Sequence, residues 1–199
     1  MPPALDLNPP EIIKKYLQPH RLDRYYKYLM AENQKVNLVS RETSREDFDR
    51  LTAESLLPLE ILDNGFGSYL DIGSGGGFPA IPILMTERVF GEAVLLERTQ
   101  KKAHALQRIL AELDLPATVH DRDYEHFQLP AKFDLITLRY VKLTPRLLDR
   151  IAGHLSDDGR FVYFSTPEFE ITSAGVETYA YVSPQSDVVK SFSVLKADR

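Results

Sequence analysis

The sequence predicts an α/β fold, in which a mostly parallel sheet carries helices on both faces and follows a helical extension. Three observations support this fold class. From residue 68 onward, short β-rich runs alternate with amphipathic helical stretches, which is the pattern of a parallel sheet. Residues 11–64 contain helical periodicity instead, and two further β-rich runs near the C-terminus predict an antiparallel edge.

Composition limits the kind of protein this is. A chain of 199 residues with 43% hydrophobic and 27% charged residues can form one packed domain. No apolar run approaches the ~18 residues of a membrane span, and the N-terminus does not have the pattern of a signal peptide. The chain has no cysteine, which excludes disulfides and cysteine-ligated zinc and fits a reducing cytoplasm. The five histidines show no metal-ligand spacing, so no metal site is predicted.

Charge is distributed unevenly along the chain. The net charge of −5 argues weakly against nucleic acid as a partner. Residues 97–150, however, hold ten Lys or Arg against eight Asp or Glu, whereas residues 151–199 hold four against seven. A locally basic face is therefore compatible with the acidic total.

The N-terminal extension is predicted to span residues 1–64, and the main domain residues 65–199. Its helical segments are EIIKKYL, RLDRYYKYLMAENQ and REDFDRLTAESLLPLEIL. In the second segment an apolar stripe recurs at helical spacing and predicts core packing. Residues 1–10 carry four of the 13 prolines and are predicted to be a loose arm. The stripe consists of Leu22, Tyr25, Tyr26, Leu29 and Met30.

Seven strands are predicted in the main domain. Five runs, SYLDI, EAVLLE, ATVHD, FDLITL and RFVYFS, are separated by a helix after Pro79, a helix over 99–114, a turn near 124–128 and a helix over 144–155. The runs VETYAYVS and SFSVLK are separated by a short polar link and predict an antiparallel hairpin at the sheet edge.

A glycine loop follows the first predicted strand. That strand ends at Asp71, and Gly73, Gly75, Gly76 and Gly77 follow it. Loops at the carboxyl ends of parallel strands bind ligands in open α/β sheets, and glycine lets a ligand lie against the backbone. A dinucleotide fingerprint would need glycine at position 78, which is phenylalanine, and the pattern of a phosphate-binding P-loop is absent. The pattern D-x-G-x-G-x-G is typical of S-adenosylmethionine (SAM) methyltransferases; the alternative is a tight structural turn.

Two further positions complete the predicted cofactor site. Glu97 ends the second strand, twenty residues after Gly77, where a carboxylate can accept hydrogen bonds from ribose hydroxyls. Its alternative role is to cap the next helix. Asp123 and Tyr124 follow the third strand, at the turn that commonly borders adenine in this fold; the alternative is an ordinary polar turn.

The sequence resembles the bacterial small-subunit (16S) ribosomal RNA guanine-N7 methyltransferases, also called glucose-inhibited division protein B. The resemblance covers about residues 25–165. It rests on NLVS at 37–40, DIGSGGGFPAIPIL at 71–84, LERTQKKAHALQRIL at 96–110, HDRDYE at 120–125 and LRYVKL at 138–143.

The resemblance implies a Rossmann-like, SAM-dependent methyltransferase with an N-terminal helical extension. Carried over by position, it implies cofactor contacts at Gly73, Phe78, Asp123, Tyr124 and Arg139. It further implies ribosomal RNA or the small ribosomal subunit as partner, with the cytoplasm as location, and we expect a monomer. No catalytic residue is assigned, because guanine N7 carries no proton for a general base to remove.

Basic residues after the fourth predicted strand are candidates for RNA contact. Arg139, Lys142, Arg146 and Arg150 fall at spacings of three, four and four, and the last two share a helix face. Together they could contact phosphates at the mouth of the site. The alternative is an ordinary solvated helix face.

The sequence departs from the family's pattern on the substrate side. Ser165 lies near the place of a family lysine, Val189 near that of an arginine, and Leu51 at that of a histidine. Two alternatives therefore stay open: a methyltransferase that acts on a small molecule, and a protein that binds SAM or the ribosome without turnover. Basic groups from elsewhere, such as Arg41, Arg45 or Arg50, are candidates to replace the missing ones in space.

Overall fold

The computed structural model describes residues 4–62, 65–129, 131–165, 175–183 and 188–197. These contain one eight-stranded sheet in the order β1-β7-β8-β6-β5-β2-β3-β4. The strands are β1 (Ala4–Leu5), β2 (Phe66–Ile72), β3 (Val89–Leu96), β4 (Thr118–His120), β5 (Phe133–Arg139), β6 (Leu155–Ser165), β7 (Val176–Val182) and β8 (Val189–Lys196). Strands β4, β3, β2, β5 and β6 are parallel to one another, and β8 is antiparallel to both β6 and β7. The mostly parallel sheet and its antiparallel edge hairpin are confirmed.

The described helices lie where sequence periodicity predicts them. They are α1 (Pro9–Tyr16), α2 (Pro19–Asn33), α3 (Arg45–Leu56), α4 (Ala80–Met85), α5 (Gln100–Glu112) and α6 (Pro145–Gly153), with a 3₁₀ turn at Leu57–Glu60 after α3. Ser44 caps α3 by accepting a hydrogen bond from the Asp47 backbone N–H at 3.0 Å. None of the helices in the described part of the chain is long and apolar enough to cross a membrane.

The N-terminal arm is one prediction that the structure corrects. Ala4 and Leu5 pair in parallel with Ala180 and Tyr181 of β7, and Pro9 already begins α1. The described sheet therefore has eight strands where seven were predicted. Two residues of strand are too few to produce an alternating pattern in the sequence, which is why the prediction missed them.

The core lies on both faces of the sheet. Tyr69 and Leu135 face the cluster that contains α2, α3, α4 and α5, whereas Leu70 and Ile136 face the cluster that contains α6. This alternation along β2 and β5 leaves successive residues of both strands buried, as expected for central parallel strands covered by helices.

The helical extension packs directly onto the glycine loop. Leu22, Tyr25 and Leu29 of α2 are buried, so the predicted stripe is a core stripe at these positions, while its other two members are half-buried. The Tyr25 hydroxyl donates a hydrogen bond to the Gly76 carbonyl at 2.9 Å, and its ring lies 5.1 Å from that of Phe48 on α3. The extension thereby fixes the back of the loop.

Candidate functional site

A cavity opens at the carboxyl ends of β2, β3 and β5. Its volume is about 1030 Å³, and residues 38–51 of the extension form its second wall. This is the edge where open α/β sheets bind ligands. Of the residues predicted from the sequence, those that line it are Gly73, Gly75, Phe78, Glu97, Asp123, Tyr124, Arg139 and Lys142.

The glycines of the loop have different roles. Gly73, Gly75 and Gly77 all have positive φ, at 76°, 52° and 92°. A Cβ at Gly73 would lie 2.8 Å from a Val141 methyl carbon, and one at Gly77 would lie 2.5 Å from Ile81, so these two positions are required for packing. A Cβ at Gly75 would meet nothing closer than the Gly73 carbonyl at 3.8 Å. Gly75 is therefore the glycine whose missing side chain leaves open space in the cavity, whereas Gly77 packs against the interior.

Asp71 supplies a buried acceptor beneath the loop. Its side chain is almost fully buried, and its Oδ1 accepts a hydrogen bond from Thr137 on β5 at 2.5 Å. Its Oδ2 is buried and has no hydrogen-bond partner within the described ranges. Burial raises the pKa of Asp71 to about 6, against the hydrogen bond from Thr137, which favours the charged form. An unpartnered buried carboxylate oxygen is costly, and a cationic ligand group would satisfy it.

Glu97 joins the glycine loop to the start of α5. Its Oε2 accepts from the Gly75 backbone N–H at 3.0 Å, and its Oε1 accepts from the Thr99 backbone N–H at 2.8 Å. The hydrogen bond from Thr99 matches the alternative role of Glu97, which was to cap the helix that follows it. It does not exclude a ribose contact, because each carboxylate oxygen can accept a second hydrogen bond. Glu97 lies at the cavity wall and is 7% exposed.

Asp123 and Tyr124 begin a turn that borders the cavity. The Asp123 carboxylate accepts from the Glu125 backbone N–H at 3.0 Å, so it holds the turn. The Tyr124 hydroxyl points away, to His154 Nδ1 at 3.1 Å, and burial raises its pKa to about 12. The polar tip of Tyr124 is therefore not available to a ligand in the cavity.

Phe78 is a wall residue that also belongs to the core. Its ring lies 5.4 Å from that of Tyr25 and 5.9 Å from that of Phe48. This aromatic cluster connects α2, α3 and the end of the glycine loop. Phe78 is therefore a residue through which the helices of the extension contact the cavity wall.

Arg139 lies at the end of β5 and is held by an ion-pair cluster that the sequence did not predict. Its guanidinium is 2.5 Å from the Glu54 carboxylate and donates to Ser55 Oγ at 3.1 Å. Glu54 also pairs with Lys190 at 2.7 Å and with Arg50 at 3.1 Å. Burial alone would raise the pKa of Glu54, but the charges of Arg139, Lys190 and Arg50 lower it below its ordinary value. Because Glu54 and Arg139 are 85 residues apart, no local pattern could have indicated the pair.

The predicted basic row is divided in the structure, because two of its four members are bound by other groups of the protein. Arg139 is buried in the cluster above, and Arg150 donates to the Phe127 carbonyl at 2.6 Å while its guanidinium covers the Tyr124 ring. Lys142 and Arg146 are exposed. Only these two members of the row remain open to solvent.

The three positions that depart from the family's pattern lie at or near the ion-pair cluster of Glu54. Ser165 ends β6 with its hydroxyl 3.1 Å from that of Ser191, and Val189 is exposed at the start of β8. The next residue, Lys190, reaches Glu54, and the Leu51 carbonyl faces Arg139 at 3.5 Å. Of the replacement cations considered, Arg50 joins this cluster. Arg41 and Arg45 bind Asn37 and the carboxylates of Asp23 and Asp49 instead.

Comparison with known proteins identifies the family of this chain. The GidB family model, described as rRNA small subunit methyltransferase G, matches residues 18–189. The chain belongs to this family. A relative named ribosomal RNA small subunit methyltransferase G, from Helicobacter acinonychis, is 32% identical over 162 residues, covering 81% of this chain and 89% of the relative. The resemblance is thereby confirmed, and with it a SAM-dependent methyltransferase as the class of enzyme.

Solved structures agree on the fold. A ribosomal protein methylase from Lactobacillus delbrueckii aligns with a TM-score of 0.58 at 15% identity, covering 75% of this chain and 80% of that one. The plantazolicin methyltransferase BpumL, solved with S-adenosylhomocysteine (SAH), aligns with a TM-score of 0.56 at 14% identity and covers 90% and 98%. At these identities the likeness establishes the fold, a Rossmann-like methyltransferase fold, as predicted.

Proposed function

We propose that this protein transfers a methyl group from SAM to N7 of a guanine in small-subunit ribosomal RNA. The observation that carries the proposal is the open cradle at the carboxyl ends of β2 and β3. There Gly75 faces empty space, and an unpartnered oxygen of Asp71 is buried beneath the loop. Family membership supports the reaction and the RNA substrate.

The residues of the cradle fit the cofactor. Asp71 offers its free oxygen to a cationic amino group, and Glu97 has acceptor capacity left for ribose hydroxyls. The backbone at Gly75 and the turn at Asp123 border the space between them. The solved plantazolicin methyltransferase, of the same fold, holds SAH. These residues bind and orient, and none of them has to exchange a proton with the substrate.

The chemistry requires positioning more than acid–base catalysis. Bound SAM supplies an electrophilic methyl group on a positively charged sulfur. Guanine N7 presents an in-plane lone pair without a proton, so alignment of the acceptor is the main task of the protein. The side chains at the cavity mouth, Arg139 to Lys142, are the ones situated to perform it. Arg139 is held in an ion pair and Glu97 accepts backbone hydrogen bonds, so both are suited to orienting ligands.

The exposed cations near the opening of the larger cavity are the candidates for RNA contact. Lys142 and Arg146 are open to solvent, and Lys102 lines the same cavity. Phosphate contacts by such side chains add affinity without sequence preference. We further propose that the protein acts as a monomer in the cytoplasm, where its ribosomal RNA substrate is located.

The proposal is tested by mapping modified nucleosides of ribosomal RNA from cells with and without this protein. Loss of one 7-methylguanosine from small-subunit RNA, restored by the wild-type gene and not by Gly75→Val, is the expected result. An unchanged set of methylated nucleosides would reject ribosomal RNA as the substrate. A small-molecule acceptor would then be the next reading to test.

A further inference from the structure

A second, smaller cavity adjoins the first at the end of β5. Its volume is about 290 Å³, and it lies between the ends of β5, β6, β7 and β8. Arg139, Tyr140, Val141 and Lys142 line both cavities, so this segment is the wall between them. A molecule in the smaller cavity would therefore lie next to whatever occupies the larger one.

Tyr140 is the unusual residue of this wall. Its side chain is 77% exposed, which is rare for a large aromatic ring, and its φ of 57° is unfavourable for any residue other than glycine. Backbone strain of this kind persists where the surrounding structure enforces it, and it is common at ligand sites. The exposed ring lies at the junction of the two cavities.

The ring is supported from beneath. The Arg139 guanidinium lies 4.9 Å from the Tyr140 ring centroid and 5.3 Å from that of Phe164, and it donates to the Tyr140 hydroxyl at 3.2 Å. Glu54 neutralises that guanidinium. The stack fixes the orientation of the ring while leaving most of its surface open, which is the arrangement of a platform for a flat ligand.

We propose that Tyr140 is the stacking platform for the acceptor base, and that the smaller cavity seats an unstacked guanine nucleotide of the RNA. The inference rests on the proposed function, since it takes guanine as the acceptor. Proteins commonly bind single-stranded RNA by stacking its bases on exposed aromatic rings, and enzymes that modify a base take it out of the stack. Tyr163, Phe164 and Tyr181 give the seat aromatic walls.

Charge in the seat matches the ligand. Lys142, Lys190 and Arg139 line the cavity together with Glu54, whose carboxylate pairs with the last two. Lys142 is therefore the cation that remains for the phosphate or for the acceptor atoms of guanine. The Hoogsteen edge of guanine carries two acceptors, O6 and N7. A base stacked on Tyr140 lies at the wall shared with the larger cavity, so its edge can face the methyl donor.

The test compares Tyr140→Ala with Tyr140→Phe, because both keep the strained backbone and only the first removes the ring. Phe90→Ala is the matched control, since Phe90 is 74% exposed at the start of β3, the opposite end of the sheet. Two quantities are measured with SAH bound or SAM supplied: guanosine 5′-monophosphate affinity by ligand-observed NMR titration, and methyl transfer to small ribosomal subunits.

Tyr140→Ala should weaken nucleotide binding and raise KM for the subunit about tenfold or more, as expected for loss of one base stack. Tyr140→Phe and Phe90→Ala should stay within about twofold of wild type, and SAH affinity should be unchanged in all three variants. Wild-type nucleotide affinity in Tyr140→Ala would overturn the inference. So would equal losses in the alanine and phenylalanine variants, because the hydroxyl bond to Arg139 would then be what matters.

The outcome separates this inference from the proposed function. If the wild type methylates no RNA but binds the nucleotide through Tyr140, the seat stands and the proposed reaction fails. If the wild type methylates RNA and Tyr140→Ala does so equally well, the reaction stands and the seat is wrong.

Discussion

Replacing Glu54 by glutamine should be among the most destabilising single changes at the site. Glu54 is fully buried on α3 and forms ion pairs with Arg139 at the end of β5, Lys190 on β8 and Arg50 on its own helix. Glutamine keeps the volume and removes the charge. Arg139 and Lys190 would then lose their carboxylate partner, whereas Arg50 would keep its pair with Asp47.

The magnitude follows from how well each cation can return to water. The side chains of Lys190 and Arg50 are 21% and 17% exposed and can recover hydration, whereas that of Arg139 is 3% exposed and cannot. Leaving one buried charge unpaired costs about 3–5 kcal/mol. For a chain of this length each kcal/mol lowers Tm by about 2–4 °C, so a drop of roughly 6–20 °C is expected.

Urea and thermal unfolding of three variants test this value. Glu177→Gln is the matched control, because its pair with Lys196 is half exposed on both sides and should cost less than about 1 kcal/mol. The double variant Glu54→Gln/Arg139→Gln should recover part of the loss, since the unpaired charge is gone. A loss for Glu54→Gln no larger than that of the control would refute the buried cluster.

Three further predictions concern the ligands. Gly75→Val places a side chain in the cavity and adds backbone strain at φ 52°, so calorimetry should show SAM affinity reduced about tenfold or more. The affinity for SAH should fall about tenfold as pH decreases from 7 to 5, because Asp71, with its pKa of about 6, must be ionised to accept the cofactor's amino group. Asp71→Asn should bind weakly without that pH dependence. Lys142→Ala and Arg146→Ala should each flatten the salt dependence of RNA binding by about one unit of slope.

Each of these has a result that would count against it. Gly153→Val, at a position where a Cβ meets nothing within 4 Å, is the control for the loop variant and should bind SAM as wild type does. Parallel pH profiles for wild type and Asp71→Asn would assign the titration to another group. Salt slopes equal to that of wild type in both cation variants would remove Lys142 and Arg146 from the RNA contact.

The fold could be predicted from the sequence because short local patterns of residues determine most of its strands and helices. Apolar runs of five or six residues, separated by helical stretches, specify buried parallel strands, and the spacing from Asp71 to Gly77 specifies the loop. The short strand at Ala4–Leu5 was missed because its stability comes from pairing with β7, not from a pattern of its own.

The substrate side was harder to predict because its contacts are between distant residues. Glu54 reads as one more polar residue of an amphipathic helix, and only folding brings it to Arg139 and Lys190. Arg150 looks like an exposed helix cation, yet it is tied to the Phe127 carbonyl. The sequence shows how many cationic residues lie near a site. Only the folded structure shows which of them are paired with other protein groups and which remain open to a ligand.

The most direct test of the central claim is methyl transfer by the purified protein. Small ribosomal subunits isolated from cells that lack it are incubated with SAM carrying a deuterated methyl group, and the RNA is digested and analysed by mass spectrometry. We expect one labelled 7-methylguanosine for each subunit with the wild type, and none with Gly75→Val. Label on a different nucleoside, or no label in RNA while SAM binds normally, would contradict the account.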